Sequence, residues 1–443
     1  MAAFLKRYEA FAFAALLVLS LGLHLWGIAR PAAPVFDEAY FTTYAADQAL
    51  GKVYFDVHPP LGKWLFSLPL LFYPTSTLSG ADYVTFGHNV ATDNLQTNYN
   101  PAPFGDFPYV PLRLVSVLFG LLLAAGFYFL LRSLAGPAAA IGGTFLFVLE
   151  NALLFDTRFV LMDGMYLAFG VWSLYFLLKD KPRIAMAGLL FGLALAVKLT
   201  AVVFLGAALA ALAMGWRDKK INGRNIFKFL AMAVAALLLC EFAFGTILWH
   251  PHQTISNMLA TFGWPMLHRI AGNVSALGWF PAAVRAAAMS GLLMVTGYLS
   301  GGGQPLMSPW YTWPFMWKPI HLEYGLAIVG NPFVWLASTA AFIGALWLVI
   351  KKGVHRVLQE TDKPFLLMAA AYIACLVPFF TIIHRSTFIY QYFPALIFAI
   401  ALAGMFVGKL MERDDLLARL SLIAIAILTV IGFLIVAPYT YGI

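Results

Sequence analysis

Runs of about twenty apolar residues recur along almost the whole of this 443-residue chain, and that repetition limits its fold more than any other feature. Each run is long enough to cross roughly 30 Å of hydrocarbon as a helix. Inside lipid every backbone polar group needs a partner within the protein, so helices are the expected spanning form. Hydrophobic residues make up 62% of the chain and charged residues 11%, more apolar surface than soluble cores of this length bury. The expected fold class is an all-α polytopic membrane protein.

Eleven candidate spans start near residues 10, 111, 137, 158, 184, 199, 226, 327, 364, 388 and 417. Only Lys198, Leu199 and Thr200 separate the fifth from the sixth, so that pair also reads as one long helix. Charge decides between the two readings. With a cytoplasmic amino terminus and eleven spans, 18 of the 28 Lys and Arg residues fall on the cytoplasmic side, although the other side owns the two longest loops. Fusing the two spans would put the basic segment 217–228 outside. The net charge of +8 therefore reads as membrane topology, not nucleic-acid binding, because the basic residues are scattered between apolar runs. Lys6 and Arg7 precede a run from Ala10 to Ile28 that exceeds a signal peptide's apolar core, and an uncleaved first span is expected. Cys240 and Cys375 lie in apolar runs without metal-like spacing and should pack as small hydrophobes.

Two segments face outward in this topology, 29–110 and 249–326. Leu61 to Tyr73 is too short to span and follows Pro59 and Pro60, so an interfacial helix is expected there. Residues 81–110 read as a solvated loop. In the second segment His250 and His252 lack further ligands at fixed spacing, and the aromatic run at 308–319 suits interfacial anchoring. No internal repeat or separate soluble domain is visible, so residues 1–443 read as one membrane domain.

The chemistry-bearing residues gather in the outer segments. Asp37 and Glu38 follow the first span, and Asp56, His58 and Lys63 continue the same loop. A carboxylate pair in that place either caps a helix and sits in water, or supplies a base that takes a proton from an acceptor hydroxyl while its neighbour binds the acceptor. A His-Pro-Pro turn holds a side chain at a set place, although a lone loop histidine more often just packs. Arg113, Arg158 and Arg385 open the second, fourth and tenth spans on the same face. Arginine forks match phosphate oxygens, whereas lone arginines at helix ends mostly snorkel. Asp163 falls about five residues into the fourth span, where a carboxylate is costly and usually paired or functional. Glu150, Asp156 and Glu241 suit structural pairing or interfacial solvation.

Five blocks in order, "FDEAYF", "YFDVHPPLGK", "TRFVLMDGMYL", "GNPFVWLAS" and "RSTFIYQYFPAL", resemble the protein O-mannosyltransferase family from nearly end to end. The resemblance implies a GT-C glycosyltransferase fold with eleven membrane helices and an active site at the outer face. It implies transfer of mannose from a polyprenyl-phosphate carrier to Ser or Thr of translocated proteins. Carried onto this sequence, Asp37 is the base with Glu38 beside it, Arg113 and Arg385 are carrier-phosphate contacts, and His58 to Lys63 with Arg158 and Asp163 form the pocket wall. The chain departs from the family in two places. Residues 249–326 are too short for the β-trefoil module of eukaryotic members, which points to a prokaryotic cell membrane. The late Tyr-His-Tyr motif reads Tyr390, Gln391, Tyr392 here, so no role for that histidine transfers.

A sugar phosphate carries its own leaving group, so a single base and well-placed cations suffice, with inversion at the anomeric centre. No cofactor is required, although Asp37, Glu38 and Asp56 would also suit Mg²⁺ or Mn²⁺. A GT-C transferase serving a lipid or glycan acceptor, a lipid or solute transporter, and an idle subunit of a dimer are the alternative readings.

Overall fold

The computed structural model describes residues 2–52, 56, 58–81, 83–89, 94–99, 102–247, 306–359, 362–381 and 387–443. Most of the described chain is helical. The helices are α1 (Ala2–Leu25), α2 (Glu38–Ala49), α3 (Leu61–Ser67, continued by a 3-10 turn Leu68–Phe72), α4 (Thr75–Leu78), α5 (Tyr109–Val148), α6 (Asn151–Asp156), α7 (Asp163–Leu178) and α8 (Ile184–Val197). They continue as α9 (Val203–Arg217, entered through a 3-10 turn Leu199–Val202), α10 (Gly223–Ile247), α11 (Pro332–Lys352), α12 (Val354–Gln359), α13 (Lys363–Thr381), α14 (Phe393–Glu412, entered through a 3-10 turn Ile389–Tyr392) and α15 (Leu416–Tyr441). Two antiparallel hairpins join them, β1 (Val84–Asn89) with β2 (Asn94–Tyr99), and β3 (Ile320–His321) with β4 (Ala327–Ile328).

Among the described residues, eight helices are long and apolar enough to cross a membrane by length and composition. One of them, α5, has 40 residues, about 60 Å of helix and twice the hydrocarbon thickness. It is two crossings. Gly136 takes φ 81°, which a glycine adopts at little cost, and Pro137 starts the next turn. The rings of Phe127 and Phe147 stack with centroids 4.7 Å apart, although twenty residues of straight helix would separate them by about 30 Å. The chain therefore doubles back at Gly136. Among the described residues, the two halves of α5, the other seven long helices and the shorter α7 and α8 begin close to the eleven expected starts.

The break at Lys198 is real: its backbone is extended (φ −154°, ψ 127°) between α8 and the turn that leads into α9. Asp163 at the start of α7 bonds to Lys198, while Lys179 at the far end of α7 shares a cavity with Met214 and Gly215 of α9. Thus α7 and α9 run parallel and α8 returns between them.

Small residues let α14 lie against the second half of α5. A Cβ on Gly404 would meet the Gly143 Cα at 2.6 Å, and one on Gly408 the Ala139 Cα at 2.8 Å. Close backbone approach of this kind is how membrane helices gain contact when lipid is as apolar as their side chains. Phe393 to Met405 of α14 are buried, whereas α15 shows Leu434 and Ile435 outward, as a lipid-facing helix does.

Three local expectations change. Residues 81–110 carry β1 and β2, because Val84, Thr85, Phe86, Thr97 and Tyr99 supply β-branched and aromatic residues within a polar composition. The fourth span begins at Asp163, not near 158, so Asp163 is the first residue of α7, where the helix dipole favours a carboxylate. The first outer loop also contains a helix not foreseen, α2, whose inner face Ala39, Phe41 and Thr42 is buried. Helix α3 with its 3-10 continuation occupies the stretch expected to be a short helix, with Lys63 and Phe66 buried and Leu71 and Phe72 outward. Cys240 and Cys375 are free and buried, as expected.

Candidate active site

Arg113, in the first turns of α5, organises the first outer loop. Its Nε and Nη2 donate to the two Glu38 oxygens at 2.8 Å each, and its remaining N–H groups reach the carbonyls of Ile28 (2.9 Å), Pro31 (3.0 Å) and Ala33 (3.3 Å). All five donors of the guanidinium are thereby used. The cation also lies over the rings of Phe159 and Tyr109, 4.8 Å from each. Glu38 is just as occupied: Val35 N donates to one oxygen and Val160 N to the other, each at 3.1 Å. Both side chains are completely buried.

Both side chains are engaged by protein groups in this arrangement. Every Arg113 N–H donates to Glu38 or to a backbone carbonyl, and both Glu38 oxygens accept from Arg113 and a backbone N–H. A buried ion pair must fill its hydrogen-bonding capacity to offset desolvation, and this one does so with protein groups. Their joint effect is on Asp37, because Glu38 pins the first turn of α2 to the loop before α7.

Asp37 occupies the position before α2 yet its side chain makes no capping hydrogen bond. The preceding Phe36 has φ 54°, a left-handed conformation that is uncommon for a bulky residue and tends to mark functional sites. The Phe36 ring packs edge-on against Tyr390, 5.8 Å away. Asp37 is half-buried, and burial pushes its carboxyl up to about 6; Lys198 opposes that rise, and Asp163 and Asp56 add to it.

Those neighbours form two ion pairs. Lys198 donates to both Asp163 oxygens, at 2.9 and 2.8 Å, and its ammonium lies 5.0 Å from the Tyr390 ring centroid. Lys63, almost fully buried on α3, donates to Asp56 at 2.8 Å and to the His58 carbonyl at 2.5 Å. Asp156, also buried, leaves Oδ2 without a hydrogen-bond partner, and burial with the nearby Asp163 raises its carboxyl well above the ordinary range. Asp56 and Asp163 from the expected set are therefore each within electrostatic reach of Asp37, and Lys63 is bonded to Asp56. His58 contributes its carbonyl to this arrangement, and its ring tilts against Phe41.

Arg158 stands elsewhere. It donates to the carbonyls of His24 (3.3 Å), Trp26 (2.5 Å) and Thr440 (2.8 Å), and the Tyr441 ring covers it at 4.3 Å. It ties α1 and α15 to the loop before α7. Arg385 lies outside the described residues, as do His250, His252 and most of segment 249–326. The metal set considered from sequence does not assemble, because Glu38 is taken by Arg113 and Asp56 by Lys63. Among the described residues no three His, Cys, Asp or Glu side chains are grouped for a metal ion.

Lys198 and Asp156 are the site members that sequence reading did not select. Lys198 did carry a signal, a lone charge between two apolar runs. Gln391 answers another question: its Oε1 accepts from Phe388 N at 3.1 Å, closing the turn that presents Tyr390. Glu150 accepts from Ala152 N and Asn331 N, a buried structural role.

The architecture matches a solved structure of the Saccharomyces cerevisiae protein O-mannosyltransferase Pmt1-Pmt2 complex bound to the sugar donor, with TM-score 0.76, 15% identity, and 98% of this chain and 90% of that chain covered. An Archaeoglobus fulgidus oligosaccharyltransferase tethered with an acceptor peptide matches at TM-score 0.60 and 13% identity, over 99% of this chain and 56% of that one. The fold is that of the GT-C membrane glycosyltransferases. In sequence the chain is 30% identical over 229 residues to protein O-mannosyltransferase 1 of Drosophila melanogaster, covering 51% of this chain and 22% of that protein. It is 26% identical over 259 residues to dolichyl-phosphate-mannose–protein mannosyltransferase 1 of Saccharomyces cerevisiae, covering 54% of this chain and 29% of that one. The aligned parts thus amount to under a third of these longer relatives. Residues 291–443 match the C-terminal four-transmembrane region of protein-O-mannosyltransferase. Residues 14–255, more than half of the chain, match the dolichyl-phosphate-mannose-protein mannosyltransferase model, and the chain belongs to that family.

Proposed function

We propose that this chain transfers mannose from a polyprenyl-phosphate carrier to Ser or Thr hydroxyls of a protein acceptor, with inversion, and that Asp37 is the base. The observation that carries this reading is the division of labour between adjacent carboxylates. Glu38 is saturated by Arg113 and backbone N–H groups, while Asp37 makes no capping bond and is pushed up to about 6. A carboxylate of that basicity is still ionised at neutral pH and accepts a hydroxyl proton better than an ordinary one.

The leaving phosphate needs positive charge, and two of the three candidate arginines, Arg113 and Arg158, are engaged by Glu38 and protein carbonyls. Lys198 is the cation nearest this chemistry in electrostatic terms, and Asp163 orients it beneath Tyr390. In a poorly hydrated site such a cation stabilises the developing phosphate charge by several kcal/mol. Lys63, held by Asp56 and the His58 carbonyl, shapes the neighbouring wall. Arg385 keeps its proposed phosphate role untouched by these contacts.

The whole chain works as one membrane domain in a prokaryotic cell membrane, amino terminus inside, with Asp37 on the outer face. The Pmt1-Pmt2 arrangement of the yeast neighbour supports a dimer. Purified enzyme given labelled polyprenyl-phosphate mannose and a Ser/Thr-rich peptide should label the peptide, and Asp37→Asn should abolish labelling. Labelled lipid or glycan products without labelled peptide would transfer the reading to another GT-C acceptor class.

A further inference from the structure

A charged cavity lies at the opposite end of α7 from Asp163. It measures about 130 Å³ and is walled by Leu134 beside the bend of α5, the far ends of α7 and α9, the turn after α9 and the start of α13. Its floor is apolar, including Leu177, Met214 and Leu367, and three lysines from three elements line it: Lys179, Lys220 and Lys363. The one acid in the lining, Asp218, is already paired with Lys363. Among the described residues no carboxylate pairs with Lys179 or Lys220. Lys179 is half-buried with its ammonium 5.4 Å from the Tyr175 ring centroid, so its position is fixed.

The turn that brings Lys220 in is built rather than loose. Lys219 adopts φ 57°, and the N–H groups of Lys220 and Ile221 both return to the Gly215 carbonyl, at 2.9 and 3.1 Å. A non-glycine residue in that conformation persists only where surrounding structure holds it. The buried Ile221 does so by plugging into the cavity wall.

We propose that this cavity binds an anionic phosphate group, the headgroup of a membrane phospholipid, at the face of the protein opposite the catalytic one. An excess of ammonium groups over an apolar floor suits a phosphodiester whose glycerol and first acyl carbons follow it inward. Basic pockets between membrane helices take anionic headgroups in this way. The site rests on the cavity alone and stands whether or not Asp37 is the base.

The test uses the full chain in nanodiscs of phosphatidylcholine with or without phosphatidylglycerol, with native mass spectrometry counting retained lipids. Wild type should retain phosphatidylglycerol preferentially, and Lys179→Gln with Lys220→Gln should weaken retention about thirtyfold, the order expected of two basic groups near an anionic headgroup. Lys220→Gln alone, at an exposed position, should give part of that loss with an unchanged melting temperature. A parallel arm adds inorganic phosphate. If phosphate at millimolar concentration displaces the lipid from wild type, the site takes free phosphate and the lipid assignment is overturned. Equal retention by wild type and both variants overturns the site itself.

Discussion

The Arg113 guanidinium grips Glu38 through two parallel 2.8 Å hydrogen bonds at full burial, and this pair sets where the neighbouring Asp37 stands. Removing one partner leaves an uncompensated buried charge, which typically costs about 3–5 kcal/mol. Arg113→Gln and Glu38→Gln should therefore each lower the melting temperature strongly, and activity should fall with the folded fraction. The double variant Arg113→Met with Glu38→Met should melt above either single variant, because paired apolar replacements remove the stranded charge. A well-folded Arg113→Gln enzyme with a raised donor KM would instead restore the phosphate role to this arginine.

Asp37 should trade stability for activity. Its carboxyl is pushed from the ordinary range to about 6 by burial. A raised carboxyl stabilises the folded state at low pH, and that contribution is lost as pH climbs from the unfolded value near 4 through about 6. At pH 7 the ionised group is therefore a liability to folding. Asp37→Asn should abolish transfer and raise the melting temperature at pH 7 by about 2–5 °C, with the gain vanishing at pH 4. In wild type the base must be ionised, so kcat/KM should decline below about pH 6. A flat profile from pH 5 to 8 would remove Asp37 from the role.

The helical architecture was legible because the length of apolar runs is a property of the chain itself. The break at Lys198 was legible too, as a lone charge between two apolar runs. The site was legible only as a list. Asp37, Asp56, Lys63 and Asp163 carry charge where charge is costly, and sequence marks them for that reason. Which charge satisfies which is a matter of three-dimensional pairing, so the Glu38 and carbonyl partners of Arg113 and Arg158 were not readable in the sequence. Helix α2 was unreadable because one face packs on neighbours that come from residues far along the chain. The β1–β2 hairpin was hidden by its polar composition.

Asn331 illustrates a motif that sequence marked and structure explains. Its side chain accepts from Phe333 N and Val334 N at the start of α11 and donates to the Leu149 and Thr429 carbonyls, while its own N–H meets Glu150. It joins α11, α15 and the α5–α6 junction. Asn331→Ala strands two buried carbonyls and loses the cap, a cost of about 2–4 kcal/mol. Thermal melts should show that loss, and the donor KM of the fraction that remains folded should be unchanged. A changed KM with an unchanged melt would mean that Asn331 touches substrate.

Lys198 and Asp163 act on Asp37 with opposite signs, which permits a test that mere structural damage does not mimic. Lys198 holds the Asp37 carboxyl down and Asp163 lifts it. Lys198→Met should therefore move the acid limb of the kcat/KM profile to higher pH, because the ionised base loses a favourable neighbour. Asp163→Asn should move the same limb to lower pH by removing a like charge. Both variants break one buried ion pair, so both lose stability, yet only the electrostatic relation to Asp37 predicts shifts in opposite directions. Lys198→Met should in addition raise the donor KM, on the order of tenfold or more, if its ammonium also meets the carrier phosphate. Limbs that move the same way in the two variants, or that stay in place, would detach this pair from the reacting base.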